Sequence, residues 1–412
     1  MGARPRWGRR LRRLVHDEAA GGVVLLVAAV AALVWANSPA AAGYEALWHL
    51  RLTVGPGPVS VTEDLRHWVN DGLMALFFFV VGLEVKRELV VGELRDRRAA
   101  ALPALAALGG VVLPAVLFLA VVGGGPEARG WGVPLATDIA FAVGVLALLG
   151  SRVPAGVKLF LLSVAIVDDI IAVGVIAVAY TDALEPGWLL AAAGGLIAVA
   201  VMRRSGVGPV AAYVPVGVFV WYATLHSGLH ATIAGVVLGL MTPARPVGGR
   251  AVLDDLQRRL HPITAFAVVP LFALANAGVD LRGGAVGEAV GSPVAWGVVL
   301  GLLVGKVVGI GGATWLALRL RVGVLPAGVP PRLVWGVAAL AGIGFTVSLF
   351  ITDLAYTDPA LVTQAKVGIF TASAVAAALG SALLLASTRR DRRARAAPGG
   401  PGGPGDGADR RA

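Results

Sequence analysis

Twelve runs of mostly apolar residues, separated by short polar or basic stretches, leave this chain very few folds. They lie at about 19–37, 67–85, 99–122, 131–150, 156–179, 188–202, 209–223, 229–242, 262–279, 294–318, 333–355 and 365–387. About 20 such residues in a helix cross the roughly 30 Å of bilayer hydrocarbon. There the backbone must satisfy its own hydrogen bonds, which a helix does within one segment. Composition agrees: 57% of the 412 residues are hydrophobic and 15% charged, against about 25% charged in a soluble domain. The expected fold is an all-α polytopic membrane protein. Two runs, 188–202 and 229–242, are short, so the count has a margin of one. The first run has no small-residue cleavage site and is followed by further spans, so it reads as a retained helix. With no Cys, a disulfide scaffold, a thiolate nucleophile and thiolate metal ligands are excluded.

The net charge of +10 reflects sorting across a membrane. In a twelve-span chain both termini share a side. That side holds six Arg within 4–13, seven within 389–411 and sixteen basic loop residues, 29 of the 35 in all. The other side holds Arg51, Arg66, Arg129, Arg282 and Lys366, while Lys306 falls inside a span. Basic residues concentrate in cytoplasmic loops, so both termini are expected in the cytoplasm. The expected organisation is a basic arm at 1–18, a transmembrane domain at 19–388 and a disordered cytoplasmic tail at 389–412, ending in a Pro/Gly-rich stretch. Between the first two spans, Leu50–Val54 and Val59–Val61 alternate around Gly55-Pro56-Gly57-Pro58. That pattern reads as a small β-hairpin over 50–61, or else an irregular loop.

Ionisable groups at bilayer depth are expensive and usually functional. Asp168 and Asp169 come ten residues after Lys158, which is about 15 Å along a helix and near mid-bilayer. Neighbouring helix positions differ by about 100°, so the two carboxylates meet different surroundings. A pair could merely staple helices, but one Asp would suffice for that. Asp138, in Ala136-Thr137-Asp138-Ile139-Ala140-Phe141, follows Pro134 and precedes Gly144, where a broken helix would free backbone groups. It could also act as an N-cap, which is compatible with ion binding. Lys306 is the midpoint of its run and needs a carboxylate partner, expected to be Asp168 or Asp169. The Gly301–Gly305 spacing before it lets another helix approach closely. Trp131-Gly132-Val133 and Trp335-Gly336-Val337 open spans four and eleven from opposite sides, hinting at an inverted repeat with a site at its interface. A buried carboxylate site can hold a proton or a hard cation, and their mutual exclusion is a basis for exchange.

Further strings complete a pattern: Asn70-Asp71-Gly72-Leu73-Met74, Gly82-Leu83-Glu84-Val85-Lys86-Arg87-Glu88-Leu89, Val167-Asp168-Asp169, Gly228-Leu229-His230-Ala231-Thr232, Leu260-His261-Pro262, Ala275-Asn276-Ala277-Gly278-Val279 and Gly342-Ile343-Gly344-Phe345-Thr346. Together they resemble the NhaA family of sodium/proton antiporters over nearly the whole chain. This family is known for inverted repeats and broken helices. The resemblance implies twelve helices in two inverted-topology repeats, with the fourth and eleventh discontinuous and crossing at the midplane. It implies an electrogenic, pH-regulated Na+(Li+)/H+ antiporter of the bacterial inner membrane, with Asp168 and Asp169 binding the transported Na+ or Li+ and the proton. Lys306 would pair with Asp168 in one state, Asp138 would compensate half-helix N-termini, and Thr137 would add an oxygen ligand. Glu84, Arg87, Glu88 and His230 would regulate by pH near the cytoplasmic funnel. The hairpin at 50–61 would join a homodimer. No cofactor and no nucleic acid are implied, and the chain reads as a transporter, not an enzyme.

One departure stands out. Where the family commonly has Leu-Glu-His before Leu260-His261-Pro262, this chain has Leu256-Gln257-Arg258. Asp254 and Asp255 are candidate substitutes. His230 and His261 could equally be ordinary helix-end histidines. A sodium-coupled organic-anion transporter of the same architecture is the alternative, but its cavity would not need an Asp pair with a Lys. An intramembrane aspartyl protease would need a Gly-x-Gly-Asp context, which is missing. Twelve spans argue against a retinal protein, and no nucleotide motif supports an ATP-driven pump.

Overall fold

The computed structural model describes residues 18–396 apart from 56, 58, 59, 182 and 247–250. The expected basic arm up to 17 and the tail from 397 lie outside the described residues. Helix occupies part or all of each expected run. The elements that matter are α1 (Glu18–Ala36), α2 (Ala41–Trp48), β1 (Arg51–Val54), β2 (Val61–Asp64), a π turn Trp68–Leu73 leading into α3 (Met74–Val90), and α4 (Arg97–Val122). A 3-10 segment Pro126–Leu135 precedes α5 (Ile139–Leu149), followed by α6 (Ala155–Ala179), α7 (Pro186–Arg204), α8 (Val214–Leu225) and α9 (Thr232–Met241). Next come α10 (Val252–Ile263), a π turn Thr264–Val268, α11 (Val269–Asn276), α12 (Pro293–Leu300), a π turn Gly301–Gly305, and α13 (Lys306–Arg319). The chain closes with α14 (Pro331–Leu340), α15 (Phe345–Ala355) and α16 (Pro359–Ala396). The last helix runs through 389–396, so the stretch expected to be a disordered tail begins as helix.

By length and apolar character six described helices qualify as crossings: Arg98–Val122, Ala155–Ala179, Pro186–Arg204, Val252–Asn276, Pro293–Arg319 and Pro359–Arg389. Three bent pairs bring the number to nine when each is taken as one span, and Val210–Leu225 and Thr232–Met241 are apolar but shorter. Large apolar side chains such as Val27, Val178, Leu190 and Ile197 are well exposed on the outside of the bundle, a surface suited to lipid and not to water.

Local chemistry explains the helix boundaries. Asp96 starts α4 by accepting the Arg98 amide at 2.9 Å, and Ser292 starts α12 by accepting the Val294 amide at 3.1 Å. Both are side-chain N-caps. Small residues then set how closely helices pack, as in other membrane bundles. A Cβ on Gly305 would come within 2.7 Å of Pro114 on α4, and one on Gly309 would strike the Gly109 carbonyl. The close approach expected at Gly301–Gly305 is therefore made, with α4 as the partner helix.

The hairpin is present, shifted in sequence. Arg51 pairs with Asp64 and Val54 with Val61, so the second strand lies at 61–64 and not at 59–61. The two strands end at Val54 and resume at Val61. At the hairpin's base Asp64 accepts the His67 amide at 2.8 Å and meets His67 Nδ1 at 2.7 Å and His49 Nδ1 at 3.4 Å. Burial opposes its charge, but these donors prevail and hold the Asp64 carboxyl below its ordinary pKa.

Candidate ion site

The two interrupted helices meet at their breaks. The segments Pro126–Leu135 and α5 are bent by 40°, and α14 and α15 by 48°. The first half of the former is a 3-10 helix, held by two tyrosines lodged against its glycines. Tyr180 donates to the Arg129 carbonyl at 2.7 Å and accepts the Gly132 amide at 3.0 Å, while Tyr356 donates to the Glu127 carbonyl at 2.5 Å. At the meeting point the Asp138 amide donates to the Ile343 carbonyl at 2.6 Å, and the Thr137 hydroxyl to the Ala341 carbonyl at 2.8 Å. The first break thus donates to two backbone carbonyls of the second.

Asp138 lies between the N-termini of both half-helices. Its Oδ1 accepts the Phe141 amide at 2.9 Å, capping α5. Its Oδ2 accepts the Thr346 amide at 3.0 Å and the Thr346 hydroxyl at 2.8 Å, closing the start of α15. A helix N-terminus carries about half a positive charge, so one carboxylate balances two of them. Thr346 was not singled out as a site residue from sequence; its position two residues past Gly344, as the first polar group after the break, was the available signal. An Asn at 138 keeps one acceptor but turns an NH2 toward donors on the other side. Asp138→Asn should therefore weaken thermal stability by about 1–3 kcal/mol, the cost of a buried unsatisfied polar group. A melting curve unchanged in detergent would contradict that.

Beside the point where the breaks meet stands the carboxylate pair on α6. Lys306 is fully buried on α13, directly after its π turn. Such turns often mark functional sites. Its ammonium donates to Asp168 Oδ2 at 2.6 Å and to the Leu135 carbonyl, the last residue of the 3-10 segment. The expected pairing is thereby resolved in favour of Asp168. Thr137 adjoins Asp168. Asp169 is 6% exposed, and the charged groups whose fields reach it are Asp168, Glu84, Asp138 and Lys306. Asp168 Oδ1 and Asp169 Oδ1 are both buried without a hydrogen-bond partner. Buried carboxylate oxygens are seldom left so. No group of three or more His, Asp and Glu among the described residues is placed to hold a metal ion.

The groups expected to regulate are split by the structure. Glu84 faces Gln257, with Arg87 and Glu88 near it, and Arg87 meets Asp254 at 3.5 Å. Arg258 pairs instead with Asp255. Asp254 thus supplies an acid where Gln257 lacks one. His230 is elsewhere: its Nε2 meets the Tyr180 carbonyl at 2.5 Å, beyond the end of α6 opposite Lys158. Its expected place near the funnel with Glu84 is corrected. The signal was present in the sequence, because span eight starts on the side where span two starts, whereas Glu84 ends span two.

Comparison with known proteins bears on this geometry. The Na+/H+ antiporter 1 family matches residues 12–384. A Na(+)/H(+) antiporter NhaA of Acidovorax sp. (strain JS42) is 51% identical over 385 residues, covering 90% of this chain and 91% of that protein. Na(+)/H(+) antiporter NhaA 3 of Frankia alni is 45% identical over 406 residues, covering 91% and 88%, and Na(+)/H(+) antiporter NhaA 2 of Pseudomonas putida KT2440 is 46% identical over 413 residues, covering 90% and 91%. With identity at this level across both chains, and an Asp pair, a buried Lys and two broken helices assembled at one point, the chain belongs to the Na+/H+ antiporter 1 family.

Proposed function

We propose that this protein exchanges Na+ or Li+ for protons across the bacterial inner membrane by alternating access at Asp168 and Asp169. The observation that carries this reading is the pair of buried carboxylate oxygens without a partner. A desolvated cation or a proton would satisfy them, but not both together, and that competition couples the two fluxes. Twelve crossings, two inverted repeats and both termini in the cytoplasm are part of this reading, supported by the charge sorting and the two breaks. The broken helices would cross at the midplane, where Asp138 balances their N-termini, and Thr137 would lend an oxygen. Exchange would be electrogenic, with more protons entering than cations leaving. Lys306 is engaged by Asp168 and the Leu135 carbonyl, which leaves it unavailable to an organic anion and speaks against a sodium-coupled anion carrier.

Everted vesicles with an acid interior and a fluorescent ΔpH probe test this. NaCl and LiCl should collapse ΔpH and KCl should not; collapse by all three, or by none, would overturn the exchange. Regulation by pH is proposed for the cluster of Glu84, Arg87 and Glu88, with Gln257 in contact. Gln257→Glu with Arg258→His adds two titratable groups beside it and should steepen the pH profile of the same assay. An identical profile would move regulation to the core carboxylates. His230, at the opposite end of the bundle, would then report on the other face.

The hairpin is proposed to join a homodimer through residues 50–61, because a two-stranded ribbon has unpaired edges that a second copy can extend. Deleting those residues should convert the detergent-solubilised protein from dimer to monomer on light scattering while exchange persists. A dimer of undiminished mass would refute it.

A further inference from the structure

A second buried ion pair lies outside the site described above, and one of its members is carried by a broken helix. α15 is the second half of that helix, set at 48° to α14, so α14 does not fix where its far end lies. Its eleven residues make a rod about 16 Å long. At the near end the Thr346 amide and hydroxyl both donate to Asp138 Oδ2. At the far end, in the last turn, is Asp353. A carboxylate there meets the negative end of the helix dipole and needs a cation. Lys366 on α16 supplies it, with Nζ 3.1 Å from Asp353 Oδ1. Lys366 is buried, and Asp353 Oδ2 is buried without a hydrogen-bond partner. Lys366 is also one of the few basic residues sorted away from the termini. Such a pair is costly to bury, and leucines in its place would hold two helices together as well.

What an ion pair adds is register, the best-attested use of buried charge. α16 is the frame. A Cβ on its Gly368 would come within 2.8 Å of the Ala295 carbonyl on α12, and one on Gly380 within 2.7 Å of Leu340 on α14. Against this frame α15 is seated at two points. Next to the break, the Phe345 ring meets Phe370 of α16 at 5.8 Å. At the far end, one turn before Phe370 on α16, Lys366 holds Asp353. Two rings in contact can slide; an ammonium on one carboxylate oxygen fixes where the sliding stops. Thr346 and Asp353 are seven positions apart, about 700° of helical rotation and so nearly two whole turns. They share one face of one rod, and a shift at Asp353 reaches Thr346. The same end braces the other broken helix, because Tyr356, just past α15, donates to the Glu127 carbonyl of the 3-10 segment.

We propose that Asp353 and Lys366 are positioning residues of the exchange site: the pair sets the register of α15 on α16 and so holds Thr346 on Asp138. This rests on the exchange reading above. In everted vesicles Lys366→Met should raise half-saturating Na+ about fivefold or more while the maximal rate stays within about twofold of the parent, because a site displaced by a fraction of an ångström loses affinity first. Asp353→Asn keeps the shape of the side chain and should act in the same direction, which covers the case of a Lys366→Met protein that does not fold. The charge exchange Asp353→Lys with Lys366→Asp restores a pair and should bring half-saturating Na+ back to within about twofold of the parent. A lowered melting temperature with the parent's half-saturation would make the pair a plain staple. A fallen maximal rate at the parent's half-saturation would place it in the alternation and not in the site. A charge exchange that behaves like the single variants would show that the register comes from packing. Each of these results overturns the proposal. A parent that moves Na+ beside variants with unchanged half-saturation overturns the positioning role alone; a parent that moves no Na+ overturns the exchange reading, and this inference with it.

Discussion

Asp169→Asn should abolish exchange and cation binding at every pH. The amide matches the carboxylate in size and keeps one oxygen, so the site's shape is preserved while its charge is removed. Two functions disappear together. A neutral amide cannot replace the hydration of a desolvated Na+ or Li+, whose ligands of choice are anionic and carbonyl oxygens. Nor can it take up the proton that must compete with the cation. Asp168 cannot substitute, because one of its oxygens is held by Lys306 at 2.6 Å. Isothermal titration of Li+ into the purified variant should show binding weakened by at least about a hundredfold, the scale on which one charge of a buried set is lost. Asp138→Asn should retain measurable binding, because Asp138 is occupied with the half-helix termini. If Asp169→Asn bound Li+ like the parent while Asp138→Asn did not, the two roles would have to be exchanged.

The sequence carried the chemistry of the site further than its geometry. That Asp168, Asp169, Asp138 and Lys306 gather in one place was legible because charge inside an apolar run is costly and needs partners. The breaks were legible as well, from Pro134 before one and the Gly342-Ile343-Gly344 string at the other. Their mutual bracing was not, since the hydrogen bond from the Asp138 amide to Ile343 joins residues 205 positions apart in the chain and leaves no periodic trace. The π turns at 68–73, 264–268 and 301–305 were also invisible. An extra residue in a helical turn changes no composition and hardly disturbs an apolar pattern; tertiary contacts such as Trp221 on the Asp71 carbonyl reveal it. His230 was misplaced for a different reason. Family likeness grouped it with Glu84, whereas counting spans would have put it at the other end.

Lys306→Met should cost more stability than any other single change at the site, about 3–5 kcal/mol, the typical penalty for removing one partner of a buried ion pair. Lys306 is wholly buried and Asp168 is 1% exposed, so water cannot compensate what remains. The variant strands the Asp168 carboxylate and leaves the Leu135 carbonyl, at the end of the 3-10 segment, without its donor. Loss of that donor loosens the half-helix beside the two breaks, so transport should fall along with melting temperature. The double variant Asp168→Asn with Lys306→Met distinguishes charge from packing. Removing both ions removes the uncompensated charge, and only the unsatisfied carbonyl, worth about 1–3 kcal/mol, should remain. The double variant should therefore be more stable than Lys306→Met alone, with a coupling well above the few tenths of a kcal/mol expected of independent sites. Thermal unfolding of the four proteins in one detergent measures this cycle. Additive losses would mean that Lys306 stabilises by filling space among α4, α6 and α13, and that its bond to Asp168 contributes nothing to holding the bundle together.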